Sequence, residues 1–443
     1  MDRNDPPHVV VVGASLAGLF AAAGASAAGC RVTLLERDHL PPSPVARRGV
    51  PQGEQGHLLL QQGMLASEQL LPGLRQDFLD HGAAEVSTGR LPWLSDEGWL
   101  PAGKHGFNMV CITRTLLEHL VRGRVLALPR VGLRSGVRVS GLERAGEGWR
   151  VGVEASTSAE TTDSTTDAAS ITADVVIDAS GRSSRLPHWL SALGVSPAAV
   201  TEVDAKVGYA RRMYASPNPP KPGVVVMTTP RQRQGCVILP VEDGRWLASA
   251  IGVGESRPLR DAEAFEKHMR QLPTTLPTEL LNEMTPISDV AIYRQTSNVR
   301  HAYERIRDWP EGLLVVGDSL CAVNPTFGSG MTVAATQGVT LRTALDLRRP
   351  LRSKATMRRL AQVTRMPWTM ATSQDRQLLP DPPPQKRHEV LFGQWIAEVG
   401  RLATKGDERS AMTMQRVAHL VASPLALLHP ALIMTAALDR RRS

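Results

Sequence analysis

The sequence predicts an α/β fold in which a parallel sheet is interrupted by an antiparallel sheet and followed by a helical C-terminal region. Three observations support this prediction. The chain opens with a βαβ pattern, because the apolar run 8–12 leads through a glycine turn into an Ala-rich stretch and a second strand, 31–35. Alternating segments separated by turns fill residues 201–300. Beyond Pro350 the sequence is basic and has the pattern of helices.

Length and composition describe an ordinary globular protein. At 443 residues the chain can hold two to three domains, and 42% of its residues are hydrophobic and 21% charged. The formal net charge is +8, but the arginines are spread along the chain among many acids, and aromatic residues make up only 4%. Nucleic acid is therefore not expected as a partner.

Cysteine spacing and apolar runs indicate whether a metal site, disulfide bonds or a membrane span are expected. The four cysteines lie far apart without CxxC or Cys/His ligand spacing, which predicts reduced thiols in a cytoplasmic protein and no metal site. The N-terminus lacks the pattern of a signal peptide. The apolar stretch 417–438 contains Pro424 and Pro430, so an integral membrane span is not expected. The basic faces of the helices beyond Pro350 are typical of solvated helix surfaces. Contact with an anionic membrane surface is the alternative interpretation.

A dinucleotide fingerprint lies in the first turn of the βαβ unit. Gly13, Ser15 and Gly18 form a G-x-S-x-x-G variant, and Glu36 closes the second strand. The first glycine permits a tight turn, Gly18 permits close packing of helix on strand, and an acid at this spacing binds ribose hydroxyls. We therefore predict a dinucleotide whose pyrophosphate lies at the helix N-terminus, where the Ser15 hydroxyl can donate a hydrogen bond.

Two more predicted strands end in an aspartate with a glycine beside it. One ends in Asp178, with Gly181 shortly after, and the other is an apolar run that ends in Gly317 and Asp318. Parallel strands share one carboxyl edge, where ligands bind, and a carboxylate there can accept hydrogen bonds from sugar-like hydroxyls. Taken alone, each aspartate is equally typical of a turn or a helix cap.

A glycine-rich loop follows Asp318. Pro325, Gly328 and Gly330 punctuate it before a helix rich in small residues. The free N–H groups at that helix start favour a negatively charged partner.

Polar residues elsewhere are predicted to approach the same edge. The loop 41–57 is too rich in Pro and Gly for a regular element, and its Arg47, Arg48 and His57 can reach a bound ligand. For His57 a structural role in the loop remains the alternative. Thr115 and Glu118 form a capping-box pattern, which would place Arg114 just ahead of a helix.

Three motifs follow one another along the chain: the fingerprint 13–18, the strand end 178–182, and Gly317-Asp318 with the glycine-rich loop 325–330. In this order they resemble the single-component (group A) FAD-dependent monooxygenases of the p-hydroxybenzoate hydroxylase-like group, over most of residues 8–345. Within that group, residues 49–60, 242–252 and 309–331 resemble bacterial polyether-pathway alkene epoxidases and squalene-monooxygenase-like enzymes. The chain departs from the pattern at 54–57, Glu-Gln-Gly-His, where relatives often carry Arg-His-x-His.

The resemblance implies a Rossmann-like FAD-binding domain of the GR2 type. We expect residues 1–85, 106–195 and 296–350 to form this discontinuous domain. Residues 86–105 and 196–295 would form the antiparallel-sheet substrate domain, and 351–443 the C-terminal helical region.

The resemblance also assigns roles to matching residues. His57, Gly330 and Met331 are expected at the reacting end of the cofactor, with the 330–331 backbone facing the isoalloxazine. The implied FAD-binding residues are Gly13, Ser15, Gly18, Glu36, Arg37, Arg48, Arg114, Asp178, Gly181, Gly317, Asp318, Pro325 and Gly328.

The implied activity is insertion of one oxygen atom of O2 into a hydrophobic small molecule through a C4a-hydroperoxide of reduced FAD. NAD(P)H would be a transient reductant, or a separate flavin reductase would supply electrons. Epoxidation needs a dry pocket more than a protein base, whereas phenol hydroxylation gains from one. The sequence places no such base, which favours an alkene or polyene. An aromatic-ring hydroxylase, a geranylgeranyl-reductase-like alkene reductase and a flavin-binding protein without turnover remain alternatives.

Overall fold

A computed structural model describes residues 5–47, 56–103, 106–156, 169–216 and 222–442. The α-helices of these residues are, in chain order, α1 (Leu16–Ala27), α2 (Gln61–Leu70), α3 (Leu74–Asp80), α4 (Arg114–Leu126), α5 (Leu186–Ala192), α6 (Ala262–Arg270), α7 (Leu276–Asn282), α8 (Ser329–Ala344), α9 (Ser353–Gln377), α10 (Arg387–Thr404), α11 (Glu408–Ala418) and α12 (Pro430–Arg442).

The strands of the same residues are β1 (His8–Val12), β2 (Arg31–Glu36), β3 (Gly56–Leu59), β4 (Ala84–Ser87), β5 (Trp93–Ser95), β6 (Gly98–Leu100), β7 (Asn108–Thr113), β8 (Val131–Ser135), β9 (Val137–Ala145), β10 (Gly148–Ala155), β11 (Ala169–Ala173), β12 (Val175–Asp178), β13 (Val200–Val203), β14 (Val207–Ala215), β15 (Val224–Val226), β16 (Gln234–Pro240), β17 (Arg245–Val253), β18 (Thr285–Pro286), β19 (Ala291–Tyr293), β20 (Asn298–His301), β21 (Leu313–Val315) and β22 (Cys321–Ala322).

A five-stranded parallel sheet in the order β21-β12-β1-β2-β8 forms the first layer, as the sequence predicts. Every residue of β1 is buried, because helices cover both faces of the sheet. Helices α1 and α8 pack closely, since a Cβ at Gly24 would lie only 2.2 Å from the Gly338 carbonyl oxygen. The register places Val12, Asp178 and Val315 side by side, so the carboxyl ends of three strands meet at one edge.

A large mixed sheet forms the second layer, in the order β18-β14-β17-β16-β15-β5-β6 with β19 also paired to β14. Its strands from β14 to β17 confirm the antiparallel strands predicted in residues 201–300. Helix α6 begins after Asp261, whose side chain accepts a hydrogen bond from the Ala264 N–H at 2.8 Å. The apolar side chains Phe265 and Met269 of α6 then pack against Ala210, Ile238 and Trp246 of the sheet.

Three sequence predictions of local structure are wrong. Residues 56 and 57, predicted as the end of an irregular loop, form the start of β3, where they pair with Thr113 and Ile112 of β7. The sequence pattern predicts one strand over 171–177 ahead of Asp178, but the structure has two, β11 and β12. The chain changes sheet at Asp174, whose carboxylate accepts a hydrogen bond from the His8 N–H at 2.7 Å. Helix α4 is capped by Thr113 rather than Thr115, so Arg114 is its first residue and not ahead of it. The reason is a distant contact: Glu242 binds the Thr113 backbone N–H at 2.8 Å and its hydroxyl at 2.6 Å.

The C-terminal region is helical, as predicted. Helix α9 packs along β13, β20, β21 and β22, and helices α10 to α12 share a separate small core that includes Val399, Val417 and Leu432. Residues Pro380–Pro384 connect α9 to α10 without regular structure. Within the described ranges, no helix combines the length and apolar character needed to cross a membrane.

Candidate cofactor site

The first turn of the parallel sheet depends on two glycines. Gly13 has φ +99°, and a Cβ there would lie 2.6 Å from the Ala179 carbonyl oxygen. A Cβ at Gly18 would lie 1.8 Å from the Gly13 carbonyl oxygen, so α1 can approach the turn only with glycine at this position. The turn therefore presents the free N–H groups at the start of α1 to the edge of the sheet.

Asp178 stabilises the second turn of the same edge. Its side chain is fully buried and accepts hydrogen bonds from the Ser180 N–H at 3.0 Å and from the hydroxyls of Ser180 and Ser184, both at 2.5 Å. Burial raises the pKa of Asp178, while these hydrogen bonds act in the opposite direction. Both carboxylate oxygens accept hydrogen bonds from within the protein, so Asp178 stabilises the turn that carries Gly181.

The third turn carries Gly317 and Asp318. Gly317 has φ +61°, a Cβ there would lie 2.5 Å from the Ala17 Cβ of α1, and its N–H donates to Gln337 of α8 at 2.7 Å. Asp318 lies beyond this turn with 37% of its side chain exposed and pairs with Arg182 at 3.5 Å. Loss of water in the cleft raises the pKa of Asp318, and Arg182 and Arg114 oppose that shift.

Direct contacts join the three turns. Gly181 donates its N–H to the Ser319 hydroxyl at 2.8 Å, which links the second turn to the third. The Gly13–Ala179 and Gly317–Ala17 contacts link both to the first. The structure therefore brings together the three motifs that the sequence analysis singled out. Ser319 and Gln337, which hold the turns in place, were missed, because a buried Ser and Gln carry no distinguishing sequence pattern.

The start of α8 faces open space. Asn324 accepts from the Thr326 N–H at 3.1 Å in the Pro325–Phe327 turn, and Gly328 follows with φ +60°. A Cβ at Gly330 would meet no heavy atom of the described residues within 4 Å, and the same holds at Gly181. Met331 is only 5% exposed and belongs to the core, so at this position the backbone rather than the side chain is available to a ligand.

A buried ionic cluster lies beside the glycine turn. Arg47 contacts Glu36 at 3.3 Å and Glu118 at 2.9 Å, and Glu36 also accepts a hydrogen bond from the Ala14 N–H at 2.9 Å. Arg114 donates to the Ser15 hydroxyl at 2.8 Å and pairs with Glu118 at 3.1 Å. The predicted residues Ser15, Glu36 and Arg114 thus meet here through Arg47 and Glu118, whose long-range pairing the sequence does not reveal.

Charge pairing sets the ionisation of this cluster. Burial favours the neutral carboxyl of Glu118, but Arg114 and Arg47 hold its pKa below the ordinary value. Burial also works against the charged guanidinium of Arg47, but Glu118 and Glu36 raise its pKa. Both partners are therefore charged near neutral pH, and removal of one would leave the other buried without compensation.

Three other predicted residues do not belong to these turns or to the ionic cluster in the described part of the structure. Arg37 is exposed after β2 and is not part of the buried cluster. His57 lies on β3, in register with Ile112 of β7. Arg48 lies outside the described residues.

Sequence comparison identifies the family to which this site belongs. Residues 7–367 match the FAD binding domain family. The chain belongs to that family. It is also 31% identical to Protein Rv3254 of Mycobacterium tuberculosis over 353 residues, which cover 78% of this chain and 74% of that protein.

Solved structures share the fold. A flavoprotein/dehydrogenase from Cytophaga hutchinsonii matches with a TM-score of 0.68 and 14% identity, covering 98% of this chain and 99% of that one. The p-nitrophenol 4-monooxygenase PnpA from Pseudomonas putida matches with a TM-score of 0.61 and 15% identity, covering 94% of this chain and 98% of that one.

The residues present fit FAD, the cofactor of this family. Open space faces the backbone at Gly181 and Gly330, and two helix N-termini, those of α1 and α8, favour an anionic group. Arg114 Nε and Ser329 Oγ are two of several buried side-chain atoms in the described residues that have no hydrogen bond, so each can take a polar partner.

Metal ligands are not grouped in the described part of the chain. Its His, Cys, Asp and Glu side chains form no set of three that could hold a metal ion.

Proposed function

We propose that the protein is an FAD-dependent monooxygenase that inserts one oxygen atom of O2 into a hydrophobic small molecule, with epoxidation of an alkene or polyene as the favoured reaction. The observation that carries the proposal is the convergence of the three turns with the open backbone face at Gly330. NAD(P)H, or a separate flavin reductase, would supply the electrons.

The turns supply the binding groups for the cofactor. The N–H groups at the start of α1, beside Gly13 and Ser15, would hold the pyrophosphate. Asp318 would accept hydrogen bonds from hydroxyls of the ribityl chain, because its carboxylate is partly exposed. Arg182 Nε lies 3.5 Å from Asp318 Oδ2 and stabilises its charge. The helix start at Gly328–Gly330 would stabilise negative charge on the pyrimidine end of the flavin.

Bound FAD, once reduced by NAD(P)H or a flavin reductase, would supply the two electrons that activate O2. The contribution of the protein is to orient the substrate and exclude water from the reacting end.

Epoxidation is favoured because Tyr209 and His419, two side chains that could act as bases, are poor ones. Burial raises the pKa of Tyr209, so its hydroxyl stays neutral. Burial lowers the pKa of His419 to about 4, and its Nδ1 already accepts the Gln61 N–H at 3.2 Å. Attack on an isolated double bond requires no proton removal by the protein, whereas activation of a phenol does.

Aromatic hydroxylation is the second candidate, and the fold shared with p-nitrophenol 4-monooxygenase favours it. Aromatic hydroxylation would require a base other than Tyr209 and His419, or a phenol that is already ionised.

Product analysis with labelled oxygen tests the proposal. The purified protein, loaded with FAD, is incubated with NAD(P)H or a flavin reductase, ¹⁸O₂, and either polyenes or phenols, and products are examined by mass spectrometry. One labelled oxygen in an epoxide supports the favoured reaction, and one in a phenol ring supports the second. Saturation of a double bond without oxygen would indicate a reductase. Bound FAD without turnover on either substrate class or either donor would contradict enzymatic monooxygenation.

A further inference from the structure

A buried carboxylate of the C-terminal region lies behind the cofactor loop. Asp375 of α9 is 1% exposed and accepts hydrogen bonds from two asparagine amides. Asn298 Nδ2 donates to it at 2.6 Å, and Asn324 Nδ2 donates to both carboxylate oxygens at 3.1 Å. Asn298 and Asn324 are themselves fully or almost fully buried. Three segments remote in sequence thus meet at one negative charge.

The carboxylate determines the orientation of the Asn324 side chain. Because Nδ2 donates to Asp375, Oδ1 must point toward the loop, where it accepts from the Thr326 N–H at 3.1 Å and the Thr326 hydroxyl at 2.7 Å. The same oxygen accepts from the Tyr209 hydroxyl of β14 at 3.0 Å. Asn324 N–H in turn donates to Asn298 Oδ1 at 2.8 Å. The loop before α8 is therefore tied to both the mixed sheet and α9.

The charge at this position is unfavourable for folding. No cationic side chain of the described residues forms an ion pair with Asp375. Burial raises its pKa to about 6, and the nearby Asp204 carboxylate adds repulsion, while the two asparagine amides oppose the shift. A neutral Asn of the same shape would avoid this desolvation. A carboxylate buried at such a cost is more typical of a functional position than of a packing position.

We propose that Asp375 is a positioning residue for the cofactor: its carboxylate, through Asn324, holds residues 324–330 in the conformation that binds the flavin. The inference rests on the proposed function, because it assigns residues 324–330 to the FAD site. It extends that function by making α9, which lies outside the Rossmann-like sheet, part of the cofactor site. Its effect passes through Asn324, since Asp375 itself is buried behind the loop.

Protonation would weaken this arrangement. A neutral carboxyl becomes a hydrogen-bond donor at one oxygen, where it faces amide groups that are also donors. The ionisable groups near Asp375 are Asp204, which is bonded to Lys206, and Tyr209, which stays neutral. Neither changes charge near pH 6 in a way that would offset the effect, because Lys206 bonds lower the pKa of Asp204 despite its partial burial. The two amides lower the pKa of a carboxyl that burial raises to about 6, so protonation disfavours their hydrogen bonds while Asp375 stays buried. Loop 324–330 is thus expected to loosen locally as the pH falls through about 6, although the protein as a whole no longer buries a charge at this position.

Hydrogen exchange of the apoprotein tests the inference without relying on activity. We expect exchange of amides 324–331 in the wild type, corrected for intrinsic pH dependence, to increase about tenfold between about pH 8 and about pH 5. In Asp375→Asn the same amides should exchange about tenfold faster at about pH 8 and lose the corrected pH dependence. Asp381→Asn, an exposed acid in the α9–α10 connection, is the matched control.

Titration with FAD gives the second readout. Asp375→Asn should bind FAD about tenfold more weakly than the wild type at about pH 8, with thermal stability equal or higher because a buried charge is gone. Wild-type exchange and affinity in Asp375→Asn would overturn the inference. A wild type that takes up no FAD would contradict the proposed function instead, and the exchange data would still decide whether Asp375 holds the loop. If Asp375→Asn does not fold, the wild-type pH series alone decides, and constant corrected exchange overturns the inference.

Discussion

The Asp318 carboxylate and the Arg182 guanidinium lie 3.5 Å apart, across the ends of two neighbouring strands of the parallel sheet, β21 and β12. Arg182 is held in place by the carbonyl oxygens of Ser297 at 2.7 Å and Val323 at 3.1 Å. The pair therefore fixes an acceptor group in the cleft, with its second oxygen available to a ligand.

Replacement of Asp318 by Ala should weaken FAD binding. The loss of a charged acceptor corresponds to about 1.5–3 kcal/mol, or about ten- to hundredfold in affinity. Flavin content of the purified variant and a titration of the apoprotein measure the effect. Asp381→Ala serves as the control, and unchanged flavin content in Asp318→Ala would count against the role assigned to this carboxylate.

Gly330→Ala separates binding from folding. Because a Cβ at Gly330 has open space and Ala favours helix, the apoprotein should keep its stability or gain up to about 1 kcal/mol. FAD affinity should nevertheless fall, because the added methyl group occupies the face assigned to the flavin. Gly123→Ala in α4, also with open space around it, is the matched control. Equal FAD affinity in Gly330→Ala and the wild type would remove this face from the site.

Gly13→Val should abolish FAD binding and destabilise the parallel sheet. The new side chain would need φ +99° and would meet the Ala179 carbonyl oxygen at 2.6 Å, which costs several kcal/mol. Helices α10 to α12, with their own small core, should still form. Circular dichroism and proteolysis of the C-terminal region report on these helices, and flavin content reports on the site. Retention of FAD would be incompatible with the close approach described above.

Acid should destabilise the protein through His419. Burial lowers its pKa to about 4 in the folded state, so the unfolded chain takes up a proton first as the pH falls below about 6.5. The stability contributed by neutral His419 is thus lost between about pH 6.5 and about pH 4, up to about 3 kcal/mol. His419→Asn keeps an acceptor for the Gln61 N–H and should reduce this slope in denaturant unfolding.

The exposed His429→Asn is the control for that measurement. The buried His8 and His268 and the half-buried His301 also have lowered pKa values and contribute to the remaining slope in every variant. An identical slope in His419→Asn and the wild type would show that His419 is not neutral through burial.

Local patterns predicted the parallel sheet, its glycine turns and the strand-end aspartates, because the positive φ of Gly13 and Gly317 and the hydrogen bonds of Asp178 to residues 180 and 184 are local features. Contacts between remote segments could not be predicted in the same way. Thr113 caps α4 because Glu242 holds it, and Arg47 joins Glu36 to Glu118 across the fold.

The hydrogen bonds that join Asp375 to Asn298 and Asn324 could not be predicted from local patterns either. Asn298 and Asn324 appear in the sequence as ordinary polar residues, and only the packing of α9 reveals that they share one charge.

The order of the strands has a consequence for biosynthesis. Strand β12 ends at Asp178, yet its outer neighbour β21 begins only at Leu313, after the whole mixed sheet has been made. While the ribosome is translating the intervening residues, the apolar edge of β12 lacks its partner and resembles an exposed edge strand. We therefore expect the nascent chain to be prone to aggregate in that interval, when a chaperone that shields this edge would help.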